Sequence, residues 1–311
     1  MRVATFNTEL ARKGPGLLLR DILRGKDPQI DAVIKEIVET RADILALQGF
    51  DYDLGNQALS AFAQAIGAQG FDYPYFFAAP PNAGRQTDLD MDGDGKRGDP
   101  RDAQGFGRFF GQGSMALLSR YPIAEQDVAD FTDLLWQNLP GALLPEQDGG
   151  PFPSQEALNI QRLSSKGHWI VPVDHPTFGR VQIMTYHATP PVFDGPEDRN
   201  GKRNHDETAF WSLYLEGTFA PAPSGRFVIL GDANLDPDNG DGLGEAMATL
   251  LAHALVQDPL PHLPTVNWSQ TGPMRVDYAL PSTDWRITDA RVRPVDPDAS
   301  RHSLVWVDLT Q

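Results

Sequence analysis

Residues 227–234, Phe-Val-Ile-Leu-Gly-Asp-Ala-Asn, run four large apolar residues straight into Gly231-Asp232-Ala233-Asn234. An apolar run this short, stopped by a glycine, reads as a buried strand with a polar tip. Strand alternation puts Asp232 and Asn234 on the same side of the chain, and Gly231 lets the backbone turn with no side chain in the way. An acid and an amide can then share one ligand. Taken alone, a Gly-Asp-x-Asn sequence after a strand is more often a turn closed by Asx hydrogen bonds. The rest of the chain decides between the two.

Asp27-Pro28 opens a helix in which Ile30, Val33, Ile34, Ile37 and Val38 recur at helical spacing. A strand at 2–6 precedes it across a Gly/Pro loop. A strand at 43–48, a helix at 56–68 and a short strand near 73–77 follow. Strands are expected at 114–119, at 168–173 and 180–187 as a hairpin around 175–179, and near 275–280, 286–292 and 302–309. Helices are expected near 205–217 and 243–254. Residues 80–113 read as a long functional loop and 124–160 as an insertion without sustained period. Strands outnumber helices and are mostly joined by long loops, which favours two stacked sheets with outer helices, an α/β (α+β) class, in one domain over 1–311.

Lysine and arginine number 26 and aspartate and glutamate 42, a net charge of −16, so the average surface repels duplex nucleic acid. With no cysteine, disulfides, thiol nucleophiles and thiolate zinc sites are excluded. The first residues already read as a strand, so no signal peptide is expected, and no apolar run approaches membrane-spanning length.

The expected strands stop at residues of one chemical kind. Asn7 and Glu9 follow the first, Asp51 and Asp53 the second, His187 ends 180–187, Asp277 lies in the strand near 275–280, and His302 opens the last. Each has a bland reading as a solvated or hydrogen-bonded polar residue. Together they supply oxygen ligands for a cation, and donors for the phosphoryl oxygens that such a cation neutralises.

The ordered segments ATFNTE (4–9), DILALQ (43–48), SMALLSRYPI (114–123), MTYHATP (184–190), ILGDAN (229–234), VDYALPS (276–282) and SRHSLVWVDL (300–309) resemble the endonuclease/exonuclease/phosphatase superfamily. The resemblance implies a four-layer α/β sandwich of two mixed sheets with helices outside. It implies catalytic roles for Asn7, His187, Asp232, Asn234, Asp277 and His302, and a divalent cation, Mg2+ or Mn2+ with Ca2+ as an alternative, held by Glu9 and Asp232. Two positions depart from the family's pattern. Its Leu-Gln-Glu reads Leu47-Gln48-Gly49 here, and its Ser-Asp-His reads Ser300-Arg301-His302. Asp51, two residues past Gly49, is the candidate replacement ligand, and Arg301 a candidate phosphate contact.

Residues 88–99 place Asp88, Asp90, Asp92 and Asp99 at loop positions 1, 3, 5 and 12, with Gly93 at 6 and Asp94 at 7, a spacing suited to Ca2+. No flanking helix pair accompanies it. Lys166, His168, Arg203 and Asn204 are the preferred phosphate contacts. The expectation is a divalent-metal-dependent phosphoesterase acting on a small phosphomonoester or phosphodiester by direct water attack. The same residues would serve a nuclease, and the two missing acids would equally suit a non-catalytic, calcium-stabilised binding module. A monomer is expected. The acidic, cysteine-free composition and the calcium-type loop lean towards an extracytoplasmic setting.

Overall fold

A computed structural model describes residues 1–311. Two sheets carry the fold. The six-stranded sheet runs Arg286–Val292, Val305–Thr310, Arg2–Asn7, Ile44–Phe50, Ser114–Ser119, Tyr75–Phe77, and the five-stranded sheet Asp277–Pro281, Phe227–Asp232, Gly179–His187, His168–His175, Ala129–Asp130. Both are mixed. Arg2–Asn7 is parallel to Ile44–Phe50, and Gly179–His187 is parallel to Phe227–Asp232.

Alternation explains the layers. Val3, Ile44, Ala46, Met115 and Leu117 of one sheet meet Val171, Val181, Ile183, Val228 and Leu230 of the other in a dry core between the sheets. Their strand neighbours, Ala4, Phe6, Leu45 and Leu47, face outward onto helices Pro28–Thr40 and Gln57–Ala68. Phe227 and Ile229 likewise meet helices Arg199–Leu215 and Glu245–Leu251. The result is the expected helix–sheet–sheet–helix sandwich.

Helix Pro28–Thr40 starts where its sequence says it should, because the Asp27 carboxylate accepts from Gln29 N and Ile30 N. Three segments differ from expectation. Helix Leu17–Arg24, which the Gly/Pro setting concealed, buries Leu18 and Ile22. The helix expected at 205 begins at Arg199, because Arg199 and Arg203 are buried and bonded rather than solvated. In the 124–160 segment Trp136 is fully buried and its Nε1 donates to Asp206 at 2.6 Å, so part of this insertion belongs to the core.

Candidate active site

Register brings the chemistry together. In the five-stranded sheet Asp232 pairs with His187 on one neighbour and Asp277 on the other, so three polar side chains stand in a row at one sheet end. Gly231 is required there, since a Cβ would lie 2.3 Å from the Tyr186 carbonyl oxygen. From the facing sheet, Asn7 Nδ2 donates to Asp232 Oδ2 at 2.8 Å while Asn7 Oδ1 accepts from Glu9 N at 3.1 Å, which fixes the amide's orientation from both sides.

His302 enters from the loop before Val305–Thr310. Its Nδ1 lies 2.9 Å from Asp277 Oδ2, and its Nε2 lies 3.5 Å from Asn7 Nδ2. Ser300 Oγ sets this approach, donating to the Asn7 carbonyl at 2.7 Å and accepting from His302 N at 3.1 Å. His187 Nε2 lies 3.5 Å from Asp232 Oδ2, and Asn234 N donates to Asp232 Oδ1 at 2.8 Å. Thus Asn7, His187, Asp232, Asn234, Asp277 and His302, expected together, form one cluster.

The charges are set by burial against partners. Burial opposes the His302 imidazolium, but Asp277 and Asp232 outweigh it and push the ring up to about 9. Burial, reinforced by Asp277, raises Asp232 above the ordinary carboxylate range, although His302 and Asn7 pull the other way. Burial, with the charges of Lys166 and His302, drives His187 well below its usual range, so it is neutral. The cluster therefore holds a protonated imidazole and a neutral one flanking a carboxylate tuned to take a proton.

Glu9 stands beside this cluster, but not free. Arg301 Nε donates to its carboxylate at 2.9 Å, Arg301 Nη2 makes a second bond, and the Arg301 backbone N–H a third at 2.8 Å. Burial would raise the Glu9 pKa, and Arg301 reverses that and lowers it. Gly49 is the extra residue of a β-bulge with φ +69°, and a Cβ there would meet Asn7 Oδ1 at 2.4 Å and Glu9 N at 2.9 Å. Asp51 is buried, each oxygen accepting one backbone N–H, from Arg12 at 2.9 Å and Gly113 at 2.8 Å. Burial pushes it up to about 6. The hard-oxygen donors a divalent cation needs are thus Glu9, already paired with a guanidinium, and Asp51, tied to the backbone. Asp232, Asp277 and His302 do bring one ligand atom each within 4.8 Å of one another, but Asp277, 2.9 Å from His302 Nδ1, favours the imidazolium, which has no lone pair there to give a cation. As arranged, these residues do not fit a divalent ion.

The expected phosphate contacts are placed differently. His168 is fully buried, its ring nitrogens 2.6 Å from Ser164 Oγ and 2.7 Å from the Glu207 carbonyl, among Tyr186, Phe210 and Trp211. Arg203 spends its guanidinium on the carbonyls of Leu163, Gln104, Arg162 and Ser164. Asn204 ties the loop after His187 to the loop after Asp232, donating to Thr189 O and Ala233 O at 2.7 Å each. All three were expected to contact phosphate, and each is instead an internal brace. Lys166 remains at the margin, half-buried, with Nζ 3.3 Å from the Phe106 carbonyl, and burial draws it down to about 8.

Sequence reasoning missed Glu207 and Trp268. Glu207 is fully buried and accepts from Ser165 N and Thr189 N, bracing the His187 loop. Trp268 lies edge-on to His302 with ring centroids 5.4 Å apart and carries the Arg301 guanidinium 4.9 Å from its centroid. No spacing signal marks either residue. Glu207 lies inside helix Arg199–Leu215 and Trp268 at the end of the short strand Val266–Trp268, and only the fold brings them to the site.

In the 88–99 loop two acidic groupings share Asp92: Asp90, Asp92 and Asp102 in one, Asp92, Asp94 and Asp99 in the other. Asp88 is in neither, and Asp102, outside the expected spacing, takes its place. Asp90 accepts from Gly93 N and Gly95 N, and Asp102 from Met91 N. A cavity of about 420 Å³ is lined by residues including Asp236, Asp258, His262 and Arg275, and none of the clustered site residues lines it. The fold and the register, rather than concavity, single out the His302 cluster.

Comparisons with known proteins agree with this fold. The family model described as "Endonuclease/Exonuclease/phosphatase family" matches residues 4–302. No curated protein matches. Among solved structures, an endonuclease/exonuclease/phosphatase from Beutenbergia cavernae DSM 12333 is 19% identical, with a TM-score of 0.61 over 99% of this chain and 71% of that one. The mannosyl-6-phosphatase Bt3783 of Bacteroides thetaiotaomicron is 14% identical, with a TM-score of 0.54 over 100% of both chains. A beta toxin mutant from Staphylococcus aureus with bound magnesium ions is 14% identical, with a TM-score of 0.53 over 98% of both. At these identities the structural likenesses speak for the fold alone.

Proposed function

The chain belongs to the endonuclease/exonuclease/phosphatase family, whose members are metal-dependent hydrolases of phosphoesters, and from that premise we propose that it hydrolyses a small phosphomonoester or phosphodiester by direct attack of water. The observation that carries this reading is the convergence of Asn7, His187, Asp232, Asp277 and His302, from both sheets, onto one sheet end.

In this reading Asp232 accepts the proton of the attacking water. Its carboxylate is fully enclosed by Asn7, His187, His302 and Asn234, so the water meets it between the two imidazoles. The His302 imidazolium, held charged by Asp277, offers its Nε2–H to a phosphoryl oxygen as negative charge builds up there. Asn7 gives one N–H to Asp232 and has its second for the same oxygen. Neutral His187 donates or relays a proton at the opposite edge, and Asn234, anchored by its Nδ2 to the Ala188 carbonyl at 3.0 Å, keeps the far wall of the pocket in place.

A divalent cation, where bound, supplies Lewis-acid neutralisation of phosphoryl oxygens. The active-site Mg2+ or Mn2+ requirement expected from the sequence belongs to this reading only through Glu9, which Arg301 holds. The acidic loop is proposed as a separate Ca2+ site built on Asp90, Asp92, Asp94, Asp99 and Asp102. The mannosyl-6-phosphatase likeness is one precedent for a small phosphomonoester on this fold.

The test is turnover of p-nitrophenyl phosphate and bis(p-nitrophenyl) phosphate with Mg2+, with Mn2+ and with EDTA, by wild type and by Asp232→Asn. Turnover abolished in the variant supports the reading. No turnover of either ester under any condition, with the fold intact, sinks it in favour of a binding module.

A further inference from the structure

We propose that the Arg301 guanidinium, seated on Glu9, is the built-in cation of this site: it binds a phosphoryl oxygen where a metal ion would, and it bars divalent ions from Glu9. The inference rests on the site being one for phosphoesters, but its test does not depend on turnover.

Four observations converge on it. First, the Glu9 carboxylate is saturated from one residue, by Arg301 Nε, Nη2 and backbone N–H, with Ser300 Oγ a fourth neighbour at 3.3 Å. A metal ion would have to displace a bidentate guanidinium. Second, the position that could supply a further acid is Gly49, where the backbone has φ +69° and a Cβ would collide with Asn7 Oδ1 and Glu9 N. The bulge has closed that position to any side chain, so the loss of the acid is built into the backbone.

Third, Arg301 is aimed. Its guanidinium lies over Trp268, the ring that also flanks His302, so the aromatic face fixes its plane beside the catalytic imidazole. Fourth, it has donors to spare. Nη1 makes no hydrogen bond within the protein, and the side chain is 69% exposed, so an N–H edge is presented to solvent next to His302. A planar donor edge matches phosphate oxygens in a way a lysine would not.

Charge points the same way. Relative to a Glu at 49 and an Asp at 301, Gly49 and Arg301 make the site three units more positive, one at the first position and two at the second. A divalent ion brings two. With Arg301 on Glu9 and His302 on Asp277, two of the acids beside the site already have fixed cationic partners. Phosphate charge can then be met by protein groups alone.

The experiment measures binding of Mn2+ and of inorganic phosphate to the full chain. Mn2+ titrations followed by electron paramagnetic resonance on wild type, Glu9→Gln, Arg301→Gln and the double variant separate the Glu9 site from the acidic loop, which is common to all four. Wild type and Glu9→Gln are expected to bind Mn2+ identically. Arg301→Gln is expected to gain one site that the double variant lacks. Inorganic phosphate in EDTA is expected to bind wild type and to lose at least tenfold in affinity in Arg301→Gln, with Arg301→Lys recovering only part. A Glu9-dependent Mn2+ site already present in wild type and unchanged in Arg301→Gln overturns the proposal, as does phosphate affinity indifferent to Arg301. Because the Arg301 side chain is largely exposed, thermal melts of the variants serve as the folding control. Absence of ester turnover would count against the phosphoesterase reading and leave these binding results to stand or fall by themselves.

Discussion

At the scale of single residues, the site is an arrangement of protons. His302 carries its proton because Asp277 outweighs the cost of burial, and Asp232 is kept hungry for one by burial and by Asp277. Activity should therefore rise with pH above the ordinary carboxylate range, as Asp232 ionises, and fall again near 9, as His302 loses its proton. A pH–rate profile of Asp277→Asn checks the cause: the alkaline limb should move to lower pH, and the rate should drop roughly 10²–10⁴-fold. Stability follows the same group. The folded imidazole titrates above its ordinary value of 6.5, so its contribution is whole below that pH and is lost as pH rises through about 9. Wild type should lose more thermal stability than His302→Gln between pH 6.5 and 10. Equal losses would show that this pair does not hold the charge.

At the scale of elements, strands were legible and braces were not. The strand Arg286–Val292 falls at the expected 286–292, and the helix Pro28–Thr40 announces its start through Asp27 and Pro28. Asp27→Ala should cost about 1 kcal/mol of stability by removing that cap, measured as a shift in the urea midpoint. Arg203 and Asn204 were expected to meet phosphate, because polar side chains usually face solvent. Here Arg203 and Glu207 are turned inward to satisfy loop backbones, which only the folded arrangement discloses. Arg203→Met should destabilise the protein by about 2 kcal/mol or more, because the Leu163 carbonyl and its neighbours lose a charged donor. It should leave the KM for phosphoester unchanged. A raised KM at unchanged stability would restore Arg203 as a substrate contact. Gly49 belongs to this scale as well. The sequence shows that an acid is absent, but not that the bulge leaves no room for one, so Gly49→Glu should lower stability without creating a metal site.

At the scale of the whole molecule, the sandwich matters because it makes two sheet ends coincide. Asn7 and Asp232 are 225 positions apart in sequence and 2.8 Å apart in space. Ordered motifs show which residues belong together, but not which nitrogen faces which oxygen. With net charge −16, duplex plasmid should be a poor substrate beside small esters. Efficient plasmid cleavage that weakens steeply with added salt would favour the nuclease alternative. If the acidic loop holds Ca2+, adding millimolar Ca2+ should raise the melting temperature of wild type, and Asp92→Asn should abolish the rise, since Asp92 belongs to both acidic groupings.

The most direct measurement is a crystal structure of the full chain with orthovanadate, a mimic of the five-coordinate phosphorus through which water displaces an alcohol. The account predicts vanadate at the shared sheet end, its oxygens bonded to His302 Nε2, Asn7 Nδ2 and the free edge of Arg301, with one apical oxygen directed at Asp232. Vanadate lodged instead in the cavity lined by Asp258 and Arg275, with the His302 cluster untouched, would contradict it.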